Sequence, residues 1–118
     1  MTEIRKIASV QDIEEALSRT CAVIFKHSTR CGISARAKRE LDEFAKTCED
    51  DTYLYLNNVI EDRELSDEIV KRTGVRHESP EAIFIHQGKI TDVKTHFEIT
   101  VEELERGVDR KRGIDRDV

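Results

Sequence analysis

Cys31 is the residue of this 118-residue chain whose type and position best suit chemistry. It follows the polar loop 27–30 and stands where an amphipathic helix is predicted to begin. The unpaired N–H groups of a first helical turn and the helix dipole stabilise an anion, and the thiolate anion is the reactive form of cysteine. The nearby bases Lys26, Arg30 and Arg36 add positive potential. These features favour a reactive thiol over the alternative interpretation, an inert packing residue.

Further neighbours are predicted to support Cys31. Ser34, three residues on, offers a hydroxyl for a hydrogen bond to the sulfur, and Gly32 is a small flanking residue. His27 offers a general acid or a cation partner for the thiolate, and the alternative is that it only hydrogen-bonds within its loop. His77 carries the same two interpretations. The four histidines lack a metal-ligand spacing and the cysteines cannot converge, so no metal site is predicted.

The other two cysteines, Cys21 and Cys48, cannot pair with Cys31 in the predicted elements. Cys21 begins the strand before the loop, and at ~3.3 Å per residue it lies roughly 15 Å or more from Cys31. Cys48 lies at the far end of the helix that Cys31 begins, about 25 Å away. A disulfide requires Cα atoms within ~7 Å of each other. The motif is therefore Cys-x-x-Ser without a resolving thiol, which predicts attack on mixed disulfides.

Composition narrows the classes of function. Charged residues make up 38% of the chain and hydrophobic residues 37%, which predicts a compact core under a heavily charged surface. The net charge of −5 argues against a general nucleic-acid binder, and no apolar stretch approaches the ~20 residues of a membrane span. The N-terminus has no apolar signal core, and three sparse cysteines do not suit a disulfide framework. We therefore predict a cytoplasmic protein.

Hydrophobic periodicity and turn residues predict the elements that position Cys31. A strand–helix–strand unit is parallel with a right-handed crossover, and a later hairpin adds two strands antiparallel to it. We predict an α/β fold with a four-stranded mixed sheet flanked by helices over residues 1–106, followed by a charged, frayed tail over 107–118. The predicted elements are a helix over 10–18 capped by Ser9, a strand over 21–26, a helix from Cys31 or Gly32, a strand over 52–56, a helix ending at Thr73 before Gly74, a strand over 82–86, a turn at 87–88, a strand over 89–97 and a helix capped by Thr100.

Two motifs about 45 residues apart resemble the monothiol bacilliredoxins, a family of thioredoxin-like fold. They are the segment 26–34, with Lys-His-Ser-Thr at its start and Cys31 within it, and the segment 74–80, Gly-Val-Arg-His-Glu-Ser-Pro. The resemblance runs from about residue 7 to residue 106. It implies that Cys31 resolves mixed disulfides between proteins and bacillithiol, a glucosamine–malate–cysteine thiol. It also implies that Pro80 is a cis-proline opposite the active site and that Ser79 offers its backbone to an extended substrate.

One departure from that family is Gly32, which stands where its members usually have proline. The segment 31–34, Cys-Gly-Ile-Ser, is therefore also similar to the Cys-Gly-Phe-Ser of monothiol glutaredoxins, which bind glutathione and a bridging iron–sulfur cluster. The downstream Gly-Gly-x-Asp of the glutaredoxins is absent, because residues 91–96 contain no paired glycine. The departure leaves open which small thiol is the co-substrate, more than it affects the expected disulfide exchange at Cys31.

The combined expectation is a cytoplasmic thiol–disulfide oxidoreductase of redox homeostasis and oxidative stress. It would remove bacillithiol, its co-substrate, from S-thiolated proteins, with no tightly bound cofactor and with a flavin disulfide reductase as a possible recycling partner. Nucleic acid and membrane are not expected partners. The bases Lys26, Arg30 and Arg36 would meet the carboxylates of an acidic thiol. The alternatives are a glutaredoxin-like iron–sulfur cluster carrier and a non-catalytic stress adaptor.

Overall fold

A mixed β-sheet with helices on both faces forms the centre of the molecule. The computed structural model describes residues 1–113, with side chains for residues 1–109. In chain order the elements are β1 Ile4–Lys6, α1 Val10–Ser18, β2 Cys21–His27, α2 Gly32–Thr47, β3 Tyr53–Asn58, α3 Arg63–Thr73, β4 Glu81–His86, β5 Lys89–Thr95, a 3₁₀ turn His96–Glu98 and α4 Val101–Gly113. Strands β1, β3 and β2 are parallel neighbours, whereas β2 pairs antiparallel with β4 and β4 pairs antiparallel with β5.

The sheet has five strands in the described residues, so the predicted number of four was too low. The missing strand is β1, which has three residues and only one apolar side chain, Ile4. Too short to show a periodic pattern, it becomes a strand through its pairing with β3, where Ile4 lies opposite Leu54. The last strand is shorter than predicted, because the chain turns into a 3₁₀ helix at His96.

Hydrogen bonds from nearby side chains set the start of α1 at the predicted cap, Ser9. The Asp12 N–H donates to Ser9 Oγ at 3.3 Å, and the Asp12 carboxylate accepts from the Ala8 N–H at 2.8 Å. The first bond satisfies a backbone donor of the first helical turn, and the second joins the residue before the N-cap to that turn.

The other helix ends also follow their predicted signals. Gly74 adopts a left-handed φ of 72° at the end of α3, which glycine tolerates without strain. At the start of α4, the Glu103 N–H donates to Thr100 Oγ1 at 3.1 Å. Helix α4 extends to Gly113, beyond the predicted domain boundary at residue 106. The remainder of the predicted tail, residues 114–118, lies outside the described residues.

Strand β2 alternates its side chains between two hydrophobic clusters, because successive residues of a strand point to opposite faces of the sheet. Val23 and Phe25 belong to the cluster that α2 and α4 cover, and Ala22 and Ile24 belong to the cluster that α1 and α3 cover. The prediction that this strand is buried on both faces is confirmed. The same alternation decides where the two polar residues that follow, Lys26 and His27, are placed.

Gly107 is the glycine of α4 for which a larger residue has no room. A Cβ there would lie 2.7 Å from Phe84 Cζ, and the Phe84 ring is buried in the core. We expect Gly107→Ala to lower the free energy of unfolding by about 1–3 kcal/mol, because overpacking exceeds the gain in helix propensity. Urea denaturation checks this. In Gly32→Ala, the matched control, the new Cβ meets nothing within 4 Å, and an equal loss in both variants would contradict the prediction.

Candidate active site at the junction of β2 and α2

Cys31 is the N-cap residue of α2, in agreement with the predicted start of the helix. Its carbonyl accepts the Ala35 N–H at 2.9 Å, and its own N–H donates to the Ser28 carbonyl at 3.2 Å. The thiol is free and partly exposed. Within the described residues its side chain makes no capping hydrogen bond. The sulfur therefore lies at the first turn of a 16-residue helix, where backbone N–H groups and the helix dipole favour an anion.

Ser34 does not hydrogen-bond to the sulfur, which corrects the role predicted for it. Its side chain is fully buried. Its Oγ accepts the Ser28 N–H at 2.9 Å and lies 2.8 Å from His27 Nδ1 in a second hydrogen bond. The hydroxyl thus ties the end of β2 and the active-site loop to the first turn of α2. Spacing alone could not choose between the sulfur and the loop as its partner.

His27 is held between the sheet and α2 because it follows Phe25 onto the same face of β2. The two rings stack with centroids 5.8 Å apart. Burial lowers the pKa of His27, and the nearby charge of Lys38 lowers it further. An imidazole with a lowered pKa is uncharged at neutral pH, so His27 does not fit the predicted role of cation partner. Its bond to Ser34 agrees with the alternative, a hydrogen bond within the loop.

Removal of the Ser34 hydroxyl is expected to destabilise the fold. In Ser34→Ala the Ser28 N–H and His27 Nδ1 lose their partner in a buried place, which costs about 1–3 kcal/mol of unfolding free energy. Equilibrium urea unfolding measures the loss. Ser18→Ala is the matched control, because the Ser18 hydroxyl makes an exposed bond to the Glu15 carbonyl and its loss should change stability by less than ~0.5 kcal/mol. Equal stability of the two variants would be the contrary result.

The peptide bond between Ser79 and Pro80 is cis, as the resemblance implied. The Pro80 carbonyl accepts the His96 N–H at 3.1 Å, which joins this loop to the end of β5. Ser79 and Ser28 line the same surface cavity, so the proline loop and the active-site loop are neighbours. The cavity, here named the α3 cavity, has a volume of about 460 Å³. It is lined by Ser28, Val59, Ile60, Arg63, Ser66, Asp67, His77 and Ser79.

A row of buried polar side chains crosses three strands on the face that α3 covers. Asn57 of β3, Lys26 of β2 and Glu81 of β4 are register partners, one strand after another. All three side chains are buried. Lys26 was predicted to meet the carboxylates of a thiol at the surface, and its burial corrects that expectation. It follows Ile24 onto the α3 face, and so it lies beneath the surface.

Burial also shifts the pKa values of Glu81 and Lys26 in this row. It raises the pKa of Glu81 to about 7, although the Lys26 ammonium acts in the opposite direction. It lowers the pKa of Lys26, although the charges of Glu81 and Asp67 act in the opposite direction. Neither Asn57 nor Glu81 was singled out in the sequence. A charged residue opposite Lys26 in a paired strand was the signal available for Glu81.

The remaining predicted bases lie at the surface around Cys31. The Arg36 guanidinium lies 5.5 Å from the centroid of the Phe97 ring, and 63% of Phe97 is exposed. Arg30 is exposed, and its charge helps lower the pKa of Glu61, after the larger effect of a hydrogen bond from Thr29. Arg30 and Arg36 therefore remain accessible to a ligand. Lys26 does not.

Neither a metal-binding cluster nor a membrane-spanning helix is found in the part of the chain that the structure describes. It contains no group of three or more His, Cys, Asp or Glu side chains arranged to hold a metal ion. None of its helices has the length and apolar character needed to cross a lipid bilayer.

Comparisons with known proteins agree with this geometry. A family model described as "Monothiol bacilliredoxin BrxC" matches residues 2–104. A solved structure described as a candidate oxidoreductase with a thioredoxin fold is 33% identical, with a TM-score of 0.79 over 88% of this chain and 92% of that one. A mutant thioredoxin from Halobacterium salinarum NRC-1 is 14% identical, with a TM-score of 0.74 over 92% and 90% of the two chains.

A third comparison extends to a eukaryotic protein. The thioredoxin of Trypanosoma brucei brucei is 16% identical, with a TM-score of 0.74 over 97% of this chain and 92% of that one. The two thioredoxins show the fold alone. The thioredoxin-like α/β fold predicted from the sequence is confirmed.

Proposed function

The chain belongs to the monothiol bacilliredoxin family, and on that premise we propose that it removes bacillithiol from protein mixed disulfides through Cys31. Thiol redox chemistry is the activity that the family and the oxidoreductase-like fold support. The observation that carries the finer proposal is the position of Cys31. It is a free, partly exposed thiol at the N-cap of α2, beside a loop with a cis-proline.

The positions of the other cysteines support a monothiol reaction. Cys21 is buried at the opposite end of β2, and Cys48 is the C-cap residue of α2. A 16-residue helix is about 24 Å long, far beyond the span of a disulfide. Cys31 therefore has no resolving cysteine in its own chain, and a second thiol molecule must complete the cycle.

The reaction proceeds by two thiol–disulfide exchanges. The Cys31 thiolate attacks the bacillithiol sulfur of the mixed disulfide, a Cys31–bacillithiol disulfide forms, and the protein leaves as a thiolate that takes up a proton. A second low-molecular-weight thiolate then attacks the adduct, which releases the Cys31 thiolate and a disulfide of two small thiols. A flavin disulfide reductase is proposed to reduce that disulfide in the cytoplasm. No tightly bound cofactor is required.

The proline loop provides a place for the protein substrate. The segment 79–80 lies next to the active-site loop, because Ser79 and Ser28 line one cavity. We assign to the Ser79 backbone the role of pairing with an extended stretch of the modified protein, as the family resemblance implies. Backbone pairing of this kind is independent of side chains, which suits an enzyme with many thiolated substrates.

Intact-mass spectrometry tests this proposal. The protein is incubated with a bacillithiolated substrate protein, quenched with acid and measured both intact and after digestion. We expect the bacillithiol mass on the wild-type peptide that contains Cys31 and a matching loss from the substrate. The same substrate in glutathionylated form is the comparison that separates a glutaredoxin-like preference. An absence of transfer to the wild type, or equal transfer to Cys31→Ser, would refute the proposal.

A further inference from the structure

The α3 cavity lies beside the reactive thiol. Ser28 lines it, and the carbonyl of the same residue accepts the Cys31 N–H at 3.2 Å. Ser79, next to the cis-proline, also lines it. A small thiol in a disulfide with Cys31 would have this cavity as a neighbour for the atoms beyond its sulfur.

The lining of the α3 cavity is rich in hydrogen-bonding groups. Three of its eight lining residues are serines, and Arg63, Asp67 and His77 add a guanidinium, a carboxylate and an imidazole. Ser66 Oγ and His77 Nδ1 lie 3.4 Å apart in a hydrogen bond. Only Val59 and Ile60 are apolar. Such a lining suits a ligand with several hydroxyls and carboxylates rather than an apolar one.

A buried cation lies beneath the α3 cavity. The Lys26 side chain is fully buried, and none of the described residues accepts a hydrogen bond from its Nζ. Burial and then the charge of Lys26 lower the pKa of His77, and the charge of Asp67 acts against the burial that lowers the pKa of Lys26; His77 and Asp67 both line the cavity. Because Lys26 is fully buried and does not line the cavity, it acts on a ligand there only through its charge and not through contact. The guanidinium that a ligand in the cavity can contact is that of Arg63.

On the premise of the proposed function, we propose that the α3 cavity binds the glucosamine–malate part of bacillithiol. Arg63, which lines the cavity, binds the malate carboxylates, whereas Asp67 and the serines hydrogen-bond the sugar hydroxyls. This arrangement leaves the cysteine part of the ligand directed to the active-site loop and its sulfur within reach of Cys31. The site thus selects an acidic, polyhydroxylated thiol over a small neutral one.

The surface around Arg36 is the alternative to the α3 cavity as a binding place for bacillithiol. Arg36 lies on α2, with its guanidinium over the exposed Phe97 ring. The residues around the α3 cavity come instead from the active-site loop, α3 and the proline loop. The two locations differ in the arginine on which the removal of bacillithiol should depend: Arg63 for the α3 cavity, and Arg36 for the surface of α2.

The first experiment compares two disulfides on one substrate protein. The protein carries either bacillithiol or 2-mercaptoethanol, a small neutral thiol, and the rate constant of its reduction is measured for wild type and Arg63→Ala. Loss of a charged partner is expected to slow the bacillithiol reaction about tenfold and the 2-mercaptoethanol reaction less than about twofold. Lys71→Ala is the matched control, because Lys71 is an exposed base of the same helix that does not line the cavity.

Each outcome of that experiment has one meaning. If wild type acts on neither substrate, the proposed function fails and the site fails with it. If wild type reduces the bacillithiol disulfide and Arg63→Ala does so equally well, the proposed function stands and the site is overturned. Equal losses on both disulfides would also overturn the site, because Arg63 would then act on the thiol or the fold rather than on the ligand.

A second experiment locates the ligand without catalysis. Cys31→Ser, which cannot form the adduct, is titrated with reduced bacillithiol and followed by amide NMR shifts. We expect saturable shifts at Ser66, Asp67 and His77. Shifts confined to the neighbourhood of Arg36 and Phe97, or no saturable shift at all, would overturn the proposal.

Discussion

Replacement of Cys31 with serine is expected to reduce the removal of bacillithiol to the uncatalysed level, a fall on the order of 10³-fold or more. A serine hydroxyl is not ionised at neutral pH and does not attack a disulfide sulfur. The helix N-terminus that favours a thiolate therefore has no nucleophile to act upon. The measurement is the rate at which a bacillithiolated protein regains its free thiol.

Cys48→Ser is the matched control for that loss. Cys48 lies at the other end of α2, where its thiol donates to Thr2 Oγ1 at 3.1 Å, and a serine hydroxyl can make the same bond. We expect this variant to retain the wild-type rate within about twofold, because a substitution far from the reacting sulfur changes stability by less than ~0.5 kcal/mol. A large loss in Cys48→Ser together with an active Cys31→Ser would contradict the prediction, because Cys48 would then be the reactive thiol.

The second large effect is expected for Glu81→Ala, which should lower the free energy of unfolding by about 3 kcal/mol. Glu81 and Lys26 are register partners on β4 and β2, and both are buried. Removal of the carboxylate leaves the ammonium buried with Asp67 as its remaining counter-charge. Urea denaturation at pH 8, where Glu81 is mostly ionised, gives the difference.

The double variant Lys26→Met/Glu81→Leu separates a charge effect from a packing effect. Exchange of two buried opposite charges for apolar residues of similar volume is often neutral or stabilising, and Lys26 and Glu81 are opposite charges in register, with no hydrogen bond between Lys26 Nζ and any described residue. We therefore expect the double variant to be more stable than Glu81→Ala, and near the wild type. If Glu81→Ala is as stable as the wild type, or if the double variant is the least stable of the three, the buried pair does not have the energetic role given to it here.

The same carboxyl gives a pH dependence whose sign is fixed. Burial raises the pKa of Glu81 from an ordinary 4.5 to about 7, so the folded state holds this proton more tightly than the unfolded state. The resulting stabilisation is complete below about pH 4.5 and is lost as the pH rises through 7. Between pH 5 and 8 the unfolding free energy of the wild type should therefore fall relative to that of Glu81→Gln. Parallel curves would contradict this.

Local signals were sufficient for most elements around the site. The cap at Ser9 and the glycine at position 74 set helix ends that the structure reproduces, because each depends on hydrogen bonds or φ values within a few residues. The same is true of the start of α2 at Cys31. Interactions of this short range are written in adjacent residues, so the sequence reveals them.

Non-local pairing decided what local patterns could not. Strand β1 exists through its bonds to β3, some 50 residues away in the chain, and Ser34 found its partners in His27 and Ser28 rather than in the sulfur. The buried row of Asn57, Lys26 and Glu81 likewise needs three strands in register. Such contacts depend on which strands and helices pack together. A hydrophobic pattern in the sequence is compatible with many such packings.

The sequence by itself determined that this protein has one candidate reactive thiol, Cys31, at the start of a helix, and that it resembles a monothiol family. The tertiary structure decided which faces the neighbouring residues of β2 take. Lys26 points under α3, beneath the polar cavity, and His27 points to α2 and Ser34. The physical reason is the two-residue period of a strand: adjacent side chains alternate between faces, but only the packed helices give each face its partners.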